Sequence, residues 1–305
     1  MLSSNIAMFY QKTIANEISF EGVGLHTGKL CSVTLRPADI NTGIIFFRTD
    51  RGKMIKLSPF AVVDTSFATT IGYNGSRIKT IEHLMAVLSA FEIDNLYIDV
   101  NGPEIPALDG SAAQIAEVLS KAGASIQSAP RKVIKITKPL RVVDGKANIT
   151  VLPYNGRKFS QLIEFKNHFL GRQHYGITLN LQRFVDEISP ARTFGFLKDV
   201  EMLRQHGLGK GGSLDNAVII DQNGVINPSG TRFPDEFVRH KVLDCIGDLY
   251  LCGFQIYGHV IAERSGHTTN VKLMKMLMNS CDCYQTFQFG QDESTSRYHA
   301  TSILE

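Results

Sequence analysis

The sequence predicts an α+β protein built from two similar domains, each a β-sheet layer packed on helices. Three observations lead there. Strand-like runs open each half of the chain, helices arrive late in each half, and one late helix in each half carries a histidine. The order of strands, histidine-bearing helix, strand, loop and final helix therefore occurs twice, which points to a duplicated domain and not to a short solenoid repeat.

Segments 32–37 (SVTLRP), 43–49 (GIIFFRT), 131–136 (RKVIKI), 147–152 (ANITVL), 159–165 (FSQLIEF) and 216–221 (NAVIID) are expected strands. Asn-Gly or Asp-Gly pairs at 74–75, 144–145, 155–156 and 223–224 predict hairpin turns between them. Behind Thr80, a suitable N-cap, the apolar residues Ile81, Leu84, Met85, Leu88 and Phe91 recur at the helical period. Ser111 can cap a second helix that runs to Ala122. Periodicity predicts further helices over 181–188, 233–251 and 268–279, and strands over 96–100 and 258–263. The small, polar stretch 122–130 is the expected linker, which divides 1–126 from 127–305. The segment ARTFGFLKDVEMLRQHGLGKGGS is apolar on one side and glycine-rich at its end, so an inserted flap is expected near 193–215.

Bulk properties narrow the function. A hydrophobic fraction of 43% suits a globular protein, and a net charge of +3 is too weak to argue for a nucleic-acid partner. The start, MLSSNIAMFYQK, lacks the basic and apolar regions of a signal peptide, and acidic residues interrupt the most apolar stretch, 242–262. A cytoplasmic enzyme without a transmembrane segment is the expectation. Five cysteines without a CxxC pair read as reduced thiols; Cys281 and Cys283 have no second half of a metal site nearby.

His240 and Asp244 lie four residues apart on an expected helix, slightly more than one turn, so one metal ion can reach both. Asp248 follows one turn later. A catalytic zinc usually takes three protein ligands and keeps a fourth position open. His83, on the corresponding helix of the first half, supplies the third ligand and places the site between the two domains. Glu82 directly precedes it, where a carboxylate lies beside a metal without ligating it, as suits a general base. By itself this pair is also what a helix N-terminus ordinarily carries. His267, in the SGH turn, is a candidate second acid or electrostatic group, and Asp248 can orient it or simply be a solvated helix residue. His26 lies in a glycine-rich turn that can approach a site. His168, His174, His206, His259 and His299 have no partner at ligand spacing. Lys241 and Arg264 could favour a phosphorylated substrate, although a lone cation is ordinarily a surface residue. GLGKGGS lacks phosphate-loop spacing, and the HExxH of zinc peptidases is missing.

The blocks EGVGLHTGK, TIEHLMAVLSAFEIDN, NGPEIPALDGSA, SPARTFGF, GGSLDNAVI, FVRHKVLDCIGDLYL and RSGHTTN, in this order, closely resemble the UDP-3-O-acyl-N-acetylglucosamine deacetylases of lipid A biosynthesis. The resemblance implies a zinc-dependent amidase that releases acetate from a UDP-3-O-(3-hydroxyacyl)-N-acetylglucosamine. His83, His240 and Asp244 match its zinc ligands, Glu82 its general base, His267 its second catalytic group and Asp248 the partner of that histidine. Thr193 matches the residue that hydrogen-bonds the oxyanion, Lys241 a substrate-binding lysine, and Arg264 a basic position near the nucleotide diphosphate. The inserted segment matches an apolar passage for the acyl chain, with Phe194, Leu197, Val200, Met202 and Leu214 as expected lining. Ala68 stands where some relatives have a cysteine near the metal. Zinc or ferrous iron as the ion, a small-molecule UDP-acyl-amino-sugar substrate as partner, no nucleic acid, and a monomer complete the expectations.

Overall fold

The computed structural model describes residues 9–166, 169–280 and 282–288. His168, Cys281, His299, the first eight residues and most of the C-terminal stretch lie outside them.

Two main sheets carry the fold. The first contains β1 (Ile18–Val23), β2 (Leu30–Pro37), β3 (Ile44–Arg48), β4 (Lys53–Lys56) and β5 (Leu96–Asn101), in the order β1-β2-β5-β3-β4. Only β3 and β5 pair in parallel. Alternation along the strands turns Val33, Leu35, Phe46, Ile98 and Val100 inward, all essentially inaccessible. Helices α1 (Glu82–Phe91) and α2 (Ala113–Ala122) share this core.

The second sheet contains β6 (Lys132–Ile136), β7 (Leu140–Asp144), β8 (Ala147–Leu152), β9 (Arg157–Glu164), β10 (Arg172–Thr178), β11 (Gln255–Glu263) and β12 (Tyr284–Gln288). Strand β11 is its spine: its first residues pair with β6 in parallel, and its second half lies between β8 and β9. The inserted segment holds the strand Phe194–Phe196, which pairs in parallel with Val218–Ile220 just beyond it, and helix α3 (Leu197–Gln205). Helices α4 (Glu236–Leu249) and α5 (His267–Asn279) complete the half. Among the described residues no helix is long and apolar enough to cross a membrane.

One buried apolar cluster runs from Ile14 to Leu277 and takes in residues of both halves. The reason is the close crossing of α1 and α4. A Cβ added at Gly247 would stand 2.0 Å from the carbonyl oxygen of Glu82, so only glycine permits this approach. The crossing brings the two histidine-bearing helices together.

Several expectations are corrected locally. The segment expected as a linker contains a strand, Ala124–Pro130, antiparallel to Tyr10–Ile14. Asn155-Gly156 joins β8 to β9, but these strands do not pair with each other; each takes β11 as its partner. The Thr80 hydroxyl does not cap α1. It donates to the buried carboxylate of Glu104 at 2.8 Å, while Thr80 takes a positive φ of 59° and Ile81 becomes the first flanking residue of the helix. Ser111 does accept from Ala113 N–H at 3.2 Å, just ahead of α2. The expected helix 181–188 starts as an α-turn and widens into a π-helix over Phe184–Ile188.

Candidate metal centre and active site

Burial makes the site. His83 enters from the first turn of α1, and His240 and Asp244 enter from one face of α4; all three are buried. Asp244 Oδ1 lies 3.4 Å from His240 Nε2 and 3.8 Å from His83 Nε2, and the imidazoles meet edge to face with centroids 5.0 Å apart. One ligand atom from each residue falls within 4.8 Å of the others, a spread that one metal ion can bridge.

The protonation states fit an ion as well. Burial and the neighbouring His240 push His83 down to about 3, and burial lowers His240, so both imidazoles keep a free lone pair. The Nδ1 of His240 donates to the Ala191 carbonyl at 3.0 Å, which directs its Nε2 at the centre. Burial works against the Asp244 charge, but the Lys241 ammonium and the charged His267 imidazole hold the carboxyl well below the usual range. Lys241 Nζ donates to Asp244 Oδ2 at 2.7 Å and leaves Oδ1 facing the histidines. Neutral imidazoles and an ionised carboxylate are what a divalent metal requires.

Beside these three stands a proton-transfer set. Burial raises Glu82 to about 7, against the nearby His267, whose Nε2 lies 3.9 Å from Glu82 Oε1. Burial also opposes the charge on His267, yet the Asp248 and Glu82 carboxylates overcome it and raise this imidazole to about 9. Its Nδ1 donates to Asp248 Oδ2 at 2.9 Å, and Asn270 Nδ2 donates to the same oxygen at 2.9 Å. Asp248 is thus a fully buried partner of the imidazole and not a solvated helix residue.

Thr193 is held through its backbone: its N–H donates to Gly110 O at 2.8 Å and its carbonyl accepts from Val218 N–H at 2.8 Å. The neighbouring Arg192 forms a buried ion pair with Glu236, 2.9 Å, which fixes the chain between the Ala191 carbonyl and Thr193. Thr193 and Phe194 then line a mostly apolar cavity of about 370 Å³. Leu197, Val200 and Leu214 line it, together with Leu25, Phe67 and Leu203. Met202 does not; it is 41% exposed outside the cavity. From Leu197 and Val200 the helical period leads to Leu203, whereas Met202 is about 200° round from Val200. That spacing was the signal for Leu203.

The sequence profile of the UDP-3-O-acyl N-acetylglycosamine deacetylase family matches residues 11–279. Three relatives, each named UDP-3-O-acyl-N-acetylglucosamine deacetylase, agree with it. The protein of Citrifermentans bemidjiense is 45% identical over 284 residues, 92% of this chain and 93% of its own. That of Thermodesulfovibrio yellowstonii is 46% identical over 278 residues, covering 91% and 94%, and that of Myxococcus xanthus is 45% identical over 279 residues, covering 91% and 89%. The chain belongs to the UDP-3-O-acyl N-acetylglycosamine deacetylase family.

In this deacetylase, Arg264 stands apart from the buried cluster. It follows β11 with a φ of 52° and pairs with Glu164 at the surface, 2.7 Å from its Nε. Two further residues sit beside the cavity and the proton-transfer set. His26 is buried, lies within 3.3 Å of the Phe67 carbonyl and lines the cavity. Its loop is held by Glu104, whose carboxylate accepts from the N–H groups of His26 and Thr27 at 2.9 and 2.8 Å. Thr69 is wholly inaccessible; its N–H donates to Glu82 Oε2 at 3.0 Å and its hydroxyl to Asp248 Oδ1 at 2.6 Å.

Proposed function

We propose that this deacetylase hydrolyses the N-acetyl group of UDP-3-O-(3-hydroxyacyl)-N-acetylglucosamine, giving acetate and the free amine, a step of lipid A biosynthesis. The observation that carries the reading is the adjacency of three features: a metal-fitting His83, His240 and Asp244 set, a Glu82 and His267 pair poised for proton transfer, and an apolar cavity that begins at Thr193 and Phe194. An amide bonded to an acylated sugar needs all three. We take zinc as the ion, with ferrous iron as the alternative that the same donors accept.

Bound there, zinc would acidify a water molecule and polarise the amide carbonyl. Glu82, raised to about 7, accepts the water proton as the oxygen adds to the acetyl carbon. The Thr193 hydroxyl donates to the tetrahedral oxyanion, and the His267 imidazolium stabilises the same charge. The C–N bond then breaks, and His267 protonates the departing nitrogen, with Asp248 holding the imidazole by its Nδ1–H. In this reading Lys241 contacts substrate while it neutralises Asp244, and Arg264 at the rim meets the nucleotide diphosphate. Phe194, Leu197, Val200 and Leu214 hold the acyl chain. The chain works as a cytoplasmic monomer whose domains, 1–126 and 127–305, each supply one side of the metal site.

Complete chelation should abolish deacetylation of the UDP-acyl substrate, and added zinc should restore it. Unchanged turnover after metal removal would overturn the reading.

A further inference from the structure

We propose that Thr69 is a positioning residue that sets the spacing between the two proton-transfer groups. The inference rests on the roles given above to Glu82 and His267. These groups come from separate elements: Glu82 from α1, and His267 from α5 with its partner Asp248 on α4. Thr69 touches both arms. Its N–H donates to Glu82 Oε2 at 3.0 Å, its hydroxyl to Asp248 Oδ1 at 2.6 Å, and its carbonyl accepts from Ile81 N–H at 3.3 Å, just ahead of α1.

Each bond uses an oxygen that the chemistry leaves over. Glu82 keeps Oε1 facing His267, and Asp248 keeps Oδ2 for the His267 Nδ1–H and Asn270. Without the Thr69 hydroxyl, Asp248 Oδ1 would be buried with no donor, since Asp248 is 0% exposed. The carboxylate would then turn to share His267 and Asn270 between its two oxygens, and the imidazole would turn with it. Thr69 immediately precedes the strand Thr70–Tyr73, so its backbone has an anchor outside the helices in addition to its bonds to the start of α1. The hydroxyl and the N–H therefore act as one fixed strut between base and acid.

Thr69→Val keeps shape and the backbone donor and removes the hydroxyl alone. It should lower kcat about tenfold to a hundredfold, the effect of a lost hydrogen bond to a buried charge, with KM nearly unchanged. Thr69→Ser should recover most of the loss. Imidazole nitrogen NMR of the metal-free protein gives a readout that needs no turnover: the His267 Nδ1–H signal should shift in Thr69→Val and return in Thr69→Ser. Unchanged kcat and an unchanged His267 signal in Thr69→Val would overturn the proposal, as would equal impairment of both variants with a lowered Tm. If Thr69→Val does not fold, Thr69→Ala against Thr69→Ser makes the same comparison. A wild-type protein that fails to turn over the substrate would instead count against the deacetylase reading, whatever the NMR shows.

Discussion

His267 owes its charge at neutral pH to neighbours that outweigh its burial. Burial alone would keep the imidazole neutral, while the Asp248 and Glu82 carboxylates raise it to about 9. A group that must be protonated to act loses activity as pH rises through that value, so the alkaline limb of kcat/KM should fall near pH 9. Asp248→Asn removes one of the two carboxylates and offers an amide where Thr69, Asn270 and His267 all donate. The His267 pKa should then drop towards or below its ordinary value, and the alkaline limb should move to lower pH. At pH 8 the loss should be on the order of a hundredfold, the usual worth of a positioned acid. A pH–rate profile of both proteins checks this; an unmoved alkaline limb would count against His267 as the acid. Of this arrangement, His240 and Asp244 were legible as a pair from spacing on a helix, because one turn fixes which side chains share a face, and Glu82 and His83 only through their place on the matching helix of the other half. Thr193 was legible only through the family resemblance. Thr69 was not legible, because a threonine thirteen residues before Glu82 carries no periodic or compositional mark.

Glycine decides the geometry where α1 crosses α4. Helix propensity favours alanine over glycine by about 1 kcal/mol, so an exposed Gly247→Ala change would stabilise α4. Here the new Cβ would lie 2.0 Å from Glu82 O and 3.2 Å from Ala86 N, atoms of backbone that cannot rotate away. Gly247→Ala should therefore destabilise the protein by about 1–3 kcal/mol, as overpacking does, and should displace the first turn that carries both Glu82 and His83. Denaturant unfolding measures the first effect and kcat the second; a more stable, fully active variant would show that the crossing is not close-packed. The same distinction explains which elements were readable. The helices α1, α4 and α5 announce themselves by a local period, and the strands of the β11 sheet by β-branched runs. Pairing is not local. Asn155-Gly156 has the chemistry of a hairpin turn, yet the strand that separates β8 from β9 arrives about a hundred residues later. Thr80 has the chemistry of an N-cap, yet Glu104, twenty-four residues on, draws its hydroxyl away. The polar segment before Pro130 alternates half-buried and exposed residues, and only the distant Tyr10–Ile14 strand makes it part of a sheet.

At the scale of the whole molecule, the metal-fitting residues join two halves of the chain. His83 belongs to the first half and His240 and Asp244 to the second, while one apolar core already runs through both. An ion held by all three binds only when α1 and α4 are docked, so its binding free energy adds to the stability of the docked state. At a free zinc concentration about 100 times its dissociation constant, this linkage amounts to about 2.7 kcal/mol. For a chain of this size that corresponds to a rise in Tm of roughly 5 °C between the chelated and zinc-loaded protein. His83→Ala should abolish most of the rise, because it removes the ligand from the first half and leaves the ion with two neighbours on one helix. His206→Ala, at the exposed C-terminal end of α3, should retain the rise in full. Calorimetry of the three proteins with chelator and with zinc decides the matter: a zinc-induced rise that persists in His83→Ala would mean that the ion does not bridge the halves.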